Sequence, residues 1–255
     1  MFFLADLKEK VLSNGQGKNK QGKKLNYNNI KIIAFDADDT LWQNESFFRE
    51  AECGFYTLLS QYGAADKLSK ELLRTEVENI PLYGYGIKSF TLSMIETALR
   101  LSGNKINAAD IGEIIKMGRG ILGRPVILID GAEEVLKKLS SKYKLVLATK
   151  GDLLDQERKL LKSGISKYLH HVEIMSDKTP QSYKKLLKYL GVEPQCFMMA
   201  GNSLKSDILP VLKIGAKAVY IPHSDTWIYE RVSCDNLKNK NFTAVEKIKD
   251  ILNLV

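Results

Sequence analysis

The chain is short of cysteine, of long apolar runs and of any processing signal, and each shortage removes a class of protein. Cys53, Cys196 and Cys234 are its three cysteines. They are odd in number, far apart and not in metal-ligand spacing, which argues against a disulfide framework and a zinc site and predicts reduced thiols. No apolar run approaches the roughly 20 residues needed to span a bilayer. The opening MFFLADLKEK fails as a signal peptide, because its apolar run is brief and Asp6 and Lys8 interrupt it. A soluble, cytoplasmic protein with no membrane partner is therefore expected. Aromatic side chains do not interleave with the lysines that precede Tyr27. The net charge of +8 invites nucleic acid as a partner, but much of the excess is Lys8, Lys10, Lys18, Lys20, Lys23 and Lys24, set among Gly, Asn and Gln. Such a segment cannot bury enough apolar surface to order itself. Residues 1–29 are expected to be a solvated, flexible leader, and with no binding module around them nucleic acid is not an expected partner.

What is present is a core. The 255 residues are 44% hydrophobic, enough for one large α/β domain or a core with an insert. The most informative stretch is Lys31 to Trp42, KIIAFDADDTLW. Ile32 to Phe35 are too few for an independent helix and too apolar for a loop, so they predict a strand buried on both faces. Asp36 stands where that strand ends, the edge at which open parallel sheets bind ligands. Asp36 and Asp38 are two apart and project from one side in extended backbone. Crowded carboxylates repel unless a proton or cation intervenes, and a hard cation such as Mg²⁺ prefers oxygen ligands. Alternation turns Asp39 away, toward solvent or a loop contact.

Residues 44–119 are helical in pattern. Phe47, Ala51, Phe55, Leu58, Leu59 and Tyr62 follow the 3.6-residue period, as do Ile87, Phe90, Met94, Ala98 and Leu101. Asn107 with Asp110 resembles an N-terminal cap. Between two helices lies PLYGYGIK, where Tyr83 and Tyr85 either pack the helices or face a ligand. This block is expected to be an inserted helical domain between core segments 30–43 and 120–255. From Gly120 onward strands and helices alternate. Strands are expected at Val126–Ile129, Lys144–Ala148, His171–Met175, Cys196–Ala200 and Lys217–Ile221. Leu153, Leu154, Leu160 and Leu161 predict one apolar helix face, Thr179 and Pro180 open a helix that Gly191 stops, Pro210 places a helix start near Ser206, and residues 245–252 predict a terminal helix. The alternation predicts a doubly wound, Rossmann-like parallel sheet with Asp36, Thr149 and Asn202 on one edge. His170 and His171, being adjacent, suit strand or surface roles. His223, Trp227 and Glu230 follow the last strand within reach of the site rim, with core packing favoured for Trp227.

In this order the motifs resemble those of the haloacid dehalogenase superfamily of hydrolases: DxDxT at Asp36, Asp38 and Thr40, a strand-ending threonine at Thr149, a lysine at Lys178, and GNSLKSD in place of GDxxxxD. The helical insert resembles the family's C1 cap. The resemblance implies a magnesium-dependent phosphatase acting on a small phosphorylated metabolite. It implies Asp36 as nucleophile, Asp38 as acid and base, Thr149, Lys150 and Lys178 as phosphate-binding residues, and Asp36, the Asp38 carbonyl, Asn202 and Asp207 around Mg²⁺. Asn202 departs from the pattern and removes one negative charge. The dehalogenase branch lacks the second aspartate, which is present here as Asp38. A phosphomutase shares all these motifs, and a weakly active or non-catalytic binding protein on the same fold stays open. Oligomeric state is not legible in the sequence.

Overall fold

A computed structural model of the chain describes residues 26–232 and 242–255. The lysine-rich stretch through residue 25 and Cys234 lie outside the described residues, and Cys53 and Cys196 are free thiols. The chain divides into two compact units. One comprises the segment ending at Gln43 together with Ile127–Thr149 and Ser163–Val255; the other comprises Asn44–Val126 and Lys150–Lys162. The helical unit thus runs seven residues past the expected 119 and takes in a second segment.

The first unit is built on a six-stranded sheet of strands β1 (Ile32–Phe35), β2 (Lys144–Lys150), β3 (His171–Met175), β4 (Phe197–Gly201), β5 (Lys217–Tyr220) and β6 (Thr243–Ala244), in the order β3-β2-β1-β4-β5-β6. This is a parallel, doubly wound arrangement, in which the order reverses beside β1 and opens a crevice at the carboxyl ends of β1 and β4. β1 pairs in parallel with both neighbours, Phe35 lying opposite Leu147 of β2 and Ala200 of β4. All four of its residues are buried, which is why the run is apolar without alternation. Ile32 and Ala34 share a core with Val146, Phe197 and Met199 and with Tyr183, Leu186 and Leu187 of a covering helix.

The second unit contains four helices in succession, α1 (Glu45–Leu58), α2 (Ala65–Tyr83), α3 (Ile87–Leu101) and α4 (Ala108–Gly123). Phe55, Leu59, Leu68, Leu72, Phe90, Met94 and Ile114 form its core. Asn107 caps α4 by accepting from Asp110 N–H. A polar seam joins α2 to α3, with Asn79 donating to Ser93 at 3.0 Å and Thr97 to Thr75 at 2.8 Å. The sheet unit adds α5 (Ala132–Ser140) before β2, α7 (Pro180–Leu190) before β4 and the short α8 (Leu209–Lys213) before β5, while α6 (Leu153–Ser163), which follows β2, falls in the helical unit but for its last residue.

Four expectations need correction. Val126–Ile129 forms no strand; Leu128 makes a single bridge to Trp42, and Ile129 N–H donates to the Leu41 carbonyl at 2.9 Å. These residues pair with the segment leaving β1 and not with the sheet. The terminal helix is a tight 3₁₀ turn, Ile248–Asn253. α2 continues through Pro81 to Tyr83, because a proline near the last turn removes one ladder bond only. On α6 the expected apolar face is outward: Leu153, Leu154 and Leu161 are exposed while Asp155 and Gln156 are buried. Polar satisfaction sets that rotation. Gln156 Nε2 donates to the Lys150 carbonyl at 2.9 Å, and Lys159 donates to Asn44 at 2.7 Å and pairs with Asp155.

Candidate active site

β1 delivers Asp36 to the sheet edge, with its N–H still donating to the Ala200 carbonyl of β4 at 2.9 Å. Beyond it the chain turns tightly. The Ala37 carbonyl accepts from the N–H groups of Thr40, Leu41 and Trp42, and Asp39 takes a left-handed backbone conformation with φ of 58°. That turn folds Thr40 back over Asp36, its hydroxyl 3.1 Å from Asp36 Oδ2, and holds the Asp38 carboxylate against the buried Trp42 indole at 2.7 Å. Asp39 is buried and not solvent-facing. Its Oδ1 lies 3.8 Å from His223 Nδ1.

From the loop between β3 and α7, Lys178 reaches into the same place. It is only 4% exposed, and its ammonium donates both to Asp36 Oδ1 and, at 2.7 Å, to Asp207 Oδ1. The other Asp207 oxygen accepts from Ser203 N–H at 2.9 Å. Both Asp207 oxygens thus serve protein donors, and the residue holds Lys178 in place. Burial pushes the Asp36 carboxyl up to about 7; Lys178 opposes that shift while Asp207 and Asp38 add to it. Burial alone would depress the Lys178 ammonium, but Asp207 and Asp36 outweigh it and hold it above its ordinary value.

The local sequence explains why Asp207 can sit there. A Cβ at Gly201 would overlap the Asp207 carboxylate, so the end of β4 must be glycine. Leu204–Ile208 winds as a wide π-helical turn capped by the Ser203 side chain, a feature often found at functional sites. Pro210 has no N–H to give the Ser206 carbonyl four residues back. That carbonyl accepts instead from the Tyr183 hydroxyl at 3.1 Å, tying α7, and with it the Lys178 loop, to the loop after β4.

Asn202 faces Asp36 from β4. The outer atom of its amide lies 3.2 Å from Asp36 Oδ2 and 3.3 Å from the Asp38 backbone carbonyl. With nitrogen in that position the amide donates to both oxygens. With oxygen there, the amide stands 3.2 and 3.3 Å from two further oxygens, about the separation of neighbouring ligands around a small octahedral cation. This donor set fits a hard divalent cation. Thr149 is buried at the end of β2, on the same edge by register. Lys150 goes elsewhere: it is grouped with the helical unit, and its ammonium stands 3.8 Å over the Tyr85 ring, while Tyr83 is exposed.

A residue given no role by its position in the motifs is joined to this site. Glu230, in the turn after β5, is 7% exposed and accepts hydrogen bonds from Ser203 Oγ and, at 2.6 Å, from Ser206 Oγ. Its place after the last strand was the one available signal.

Residues 30–215 match the family model described as haloacid dehalogenase-like hydrolase. The chain belongs to the haloacid dehalogenase-like hydrolases. A haloacid dehalogenase-like family hydrolase from Xanthomonas campestris is 37% identical, superposes with a TM-score of 0.78, and is matched over 88% of this chain and 91% of that one. The glyceraldehyde 3-phosphate phosphatase of Pyrococcus furiosus is 29% identical over 76% of this chain and 81% of its own length. The protein of the same description from Pyrococcus abyssi is 30% identical over 50% of this chain, and the match spans about half, 54%, of the relative's length. Membership of this hydrolase family accounts for the doubly wound sheet.

Proposed function

We propose that this hydrolase is a magnesium-dependent phosphatase that cleaves a small phosphomonoester through an aspartyl phosphate on Asp36. The observation that carries the reading is the convergence of Asp36, the Asp38 carbonyl and the Asn202 amide on one side and Lys178 with Asp207 on the other. Asp36 Oδ1 and Oδ2 are differentiated by their surroundings, one paired to a buried ammonium and the other beside the oxygen cluster. The helical unit inserted after β1 is read as the family's C1 cap.

In the first half-reaction an Asp36 oxygen attacks phosphorus and the bond from phosphorus to the ester oxygen breaks, while Asp38 gives its proton to the leaving oxygen. In the second, Asp38 takes a proton from water, whose oxygen attacks phosphorus, and the carboxylate of Asp36 leaves. Free phosphate is the product and Asp38 ends protonated, ready for the next cycle. The Trp42 indole N–H keeps the Asp38 carboxyl in one place through both proton transfers. Lys178 offsets charge between the nucleophile and an anionic phosphoryl group, and Thr149 donates to phosphoryl oxygens. Mg²⁺, held by Asp36, the Asp38 carbonyl and the Asn202 amide oxygen, would supply the remaining positive charge. Asp38 supports phosphoryl transfer over dehalogenation, and the two relatives described as glyceraldehyde 3-phosphate phosphatase support hydrolysis of a small phosphorylated compound.

The test is phosphate release from glyceraldehyde 3-phosphate and a panel of phosphorylated metabolites, with Mg²⁺ and with chelator. Activity is expected only with the metal, and Asp36→Asn is expected to lose at least about 10³-fold in kcat/KM, roughly 4 kcal/mol of transition-state stabilisation. Turnover surviving in that variant, or transfer of labelled phosphate within a sugar without release to water, overturns the reading.

A further inference from the structure

Asn202 leaves the site one carboxylate short of the aspartate version of the motif, and a buried carboxylate, Glu230, is hydrogen-bonded to the next residue along the chain, Ser203. Ser203, the neighbour of Asn202, uses its hydroxyl oxygen to accept from Ser206 N–H at 3.0 Å, so its proton is directed at Glu230 Oε2. The Ser206 hydroxyl is directed at the same oxygen. Two hydroxyl donors converging on one oxygen require an acceptor there, which is what an ionised carboxylate supplies. The turn bearing Glu230 is fastened beside this loop a second time, since the Lys205 ammonium donates to the Tyr229 carbonyl at 3.1 Å and lies over the Tyr229 ring. The Ser203 N–H meanwhile donates to Asp207, so the serine held by Glu230 also sets the carboxylate that holds Lys178.

We infer that Glu230 is a positioning residue that supplies, from outside the ligand set, the negative charge that Asn202 removes from it, and that it keeps the loop after β4 in the form that binds Mg²⁺. The inference rests on the metal reading of the site given above. Partners outside the ligand set characteristically govern metal affinity by one to two orders of magnitude, and a charge only 7% exposed is less screened than one at the surface.

The experiment is calorimetric titration of Mg²⁺ into the full chain without substrate, for the wild type, Glu230→Gln, Glu230→Asp and the double variant Glu230→Gln, Asn202→Asp. Glu230→Gln keeps the shape and removes the charge, and is expected to weaken Mg²⁺ about tenfold. Glu230→Asp keeps the charge and is expected to stay within about threefold of the wild type. Asn202→Asp added to Glu230→Gln returns the charge to the ligand set and is expected to recover most of the loss. Wild-type affinity in Glu230→Gln overturns the inference, as does a double variant that binds no more tightly than Glu230→Gln. A Glu230→Asp variant as weak as Glu230→Gln replaces charge with packing and likewise overturns it. Absence of any Mg²⁺ binding by the folded wild type overturns the metal reading itself, a result distinguishable from all of these.

Discussion

Both units of the molecule bury carboxylates, and they neutralise them by different means. In the sheet unit Asp36 and Asp207 share the buried ammonium of Lys178, and Asp36 faces the Asn202 amide. In the helical unit Glu76 is pushed up to about 8, first by burial and then by Glu52; Glu52 itself is raised by burial, with Arg49 opposing. A carboxyl shifted that far is largely neutral at pH 7, so at Glu76 the cost of burial is met by keeping a proton, whereas Asp155 of the same unit is paired with Lys159. A proton is enough where a helix only has to pack. At Asp36 a fixed cation, Lys178, opposes the rise that burial imposes without taking up the carboxylate's proton-binding lone pair.

The largest expected effect comes from removing that cation. Lys178→Met leaves two buried carboxylates without their shared ammonium, and the loss in stability is expected to be about 3–5 kcal/mol at pH 8. Without the ammonium the carboxyls take up a proton, so the deficit should shrink at pH 5. Chemical denaturation at the two pH values measures both, and a loss below about 1 kcal/mol at pH 8 would place the pair among weak surface pairs.

The helical unit should respond in the opposite direction. The folded-state value for Glu76, about 8, lies above its ordinary 4.5, so folding binds a proton between those values. Stability contributed by the protonated form is complete below about pH 4.5 and declines as pH rises toward 8. Glu76→Gln is expected to stabilise the protein by about 1–2 kcal/mol at pH 8, leave it unchanged at pH 4, and narrow the difference in Tm between the two. An unchanged pH dependence would show that Glu76 is ionised in the folded state and that the two units do not differ as described.

The smallest effect sharpens the comparison with a neutral contact. Thr97→Val removes one hydroxyl from the seam between α2 and α3, where Thr75 keeps its other bonds to the Glu71 carbonyl and Arg100. A loss of about 0.5–1 kcal/mol in denaturant unfolding is expected. A loss as large as that of Lys178→Met would mean that the neutral seam and the ionic site are held by comparable forces.

Much of the sheet unit was legible because its signals are local. Short apolar runs ending in Asp36, Thr149 and Asn202 mark strands buried on both faces, and the parallel registers bring those ends to one edge. Lys178 was legible only through the motif order, since a lysine in a lysine-rich chain gives no sign of being buried. The remainder depended on contacts between residues far apart in sequence. Asp39 follows alternation in an extended chain, but the chain is not extended there, and the left-handed turn at φ 58° carries it inward. The leucines of α6 point outward because Gln156 and Lys159 need acceptors on Lys150 and Asn44. Glu230 lies more than twenty residues from the serines it accepts from, and no spacing rule links a carboxylate to a partner at that distance.

The position of β1 between β2 and β4 has a consequence for synthesis and folding. Ile32 pairs with Lys144 on one side and lies opposite Phe197 on the other, so both neighbours of the strand carrying Asp36 are made more than a hundred residues after it. Helices α1 to α4 of the helical unit lie within the first of those intervals, and their local contacts can form while β1 still waits for a partner. Closing the longer loop adds little entropy cost, because that cost grows only logarithmically with length. The cost of the arrangement is instead one of time: as the ribosome proceeds, an apolar strand with two open edges stays unpaired until most of the chain has emerged, which makes β1 the segment most dependent on protection from aggregation during synthesis.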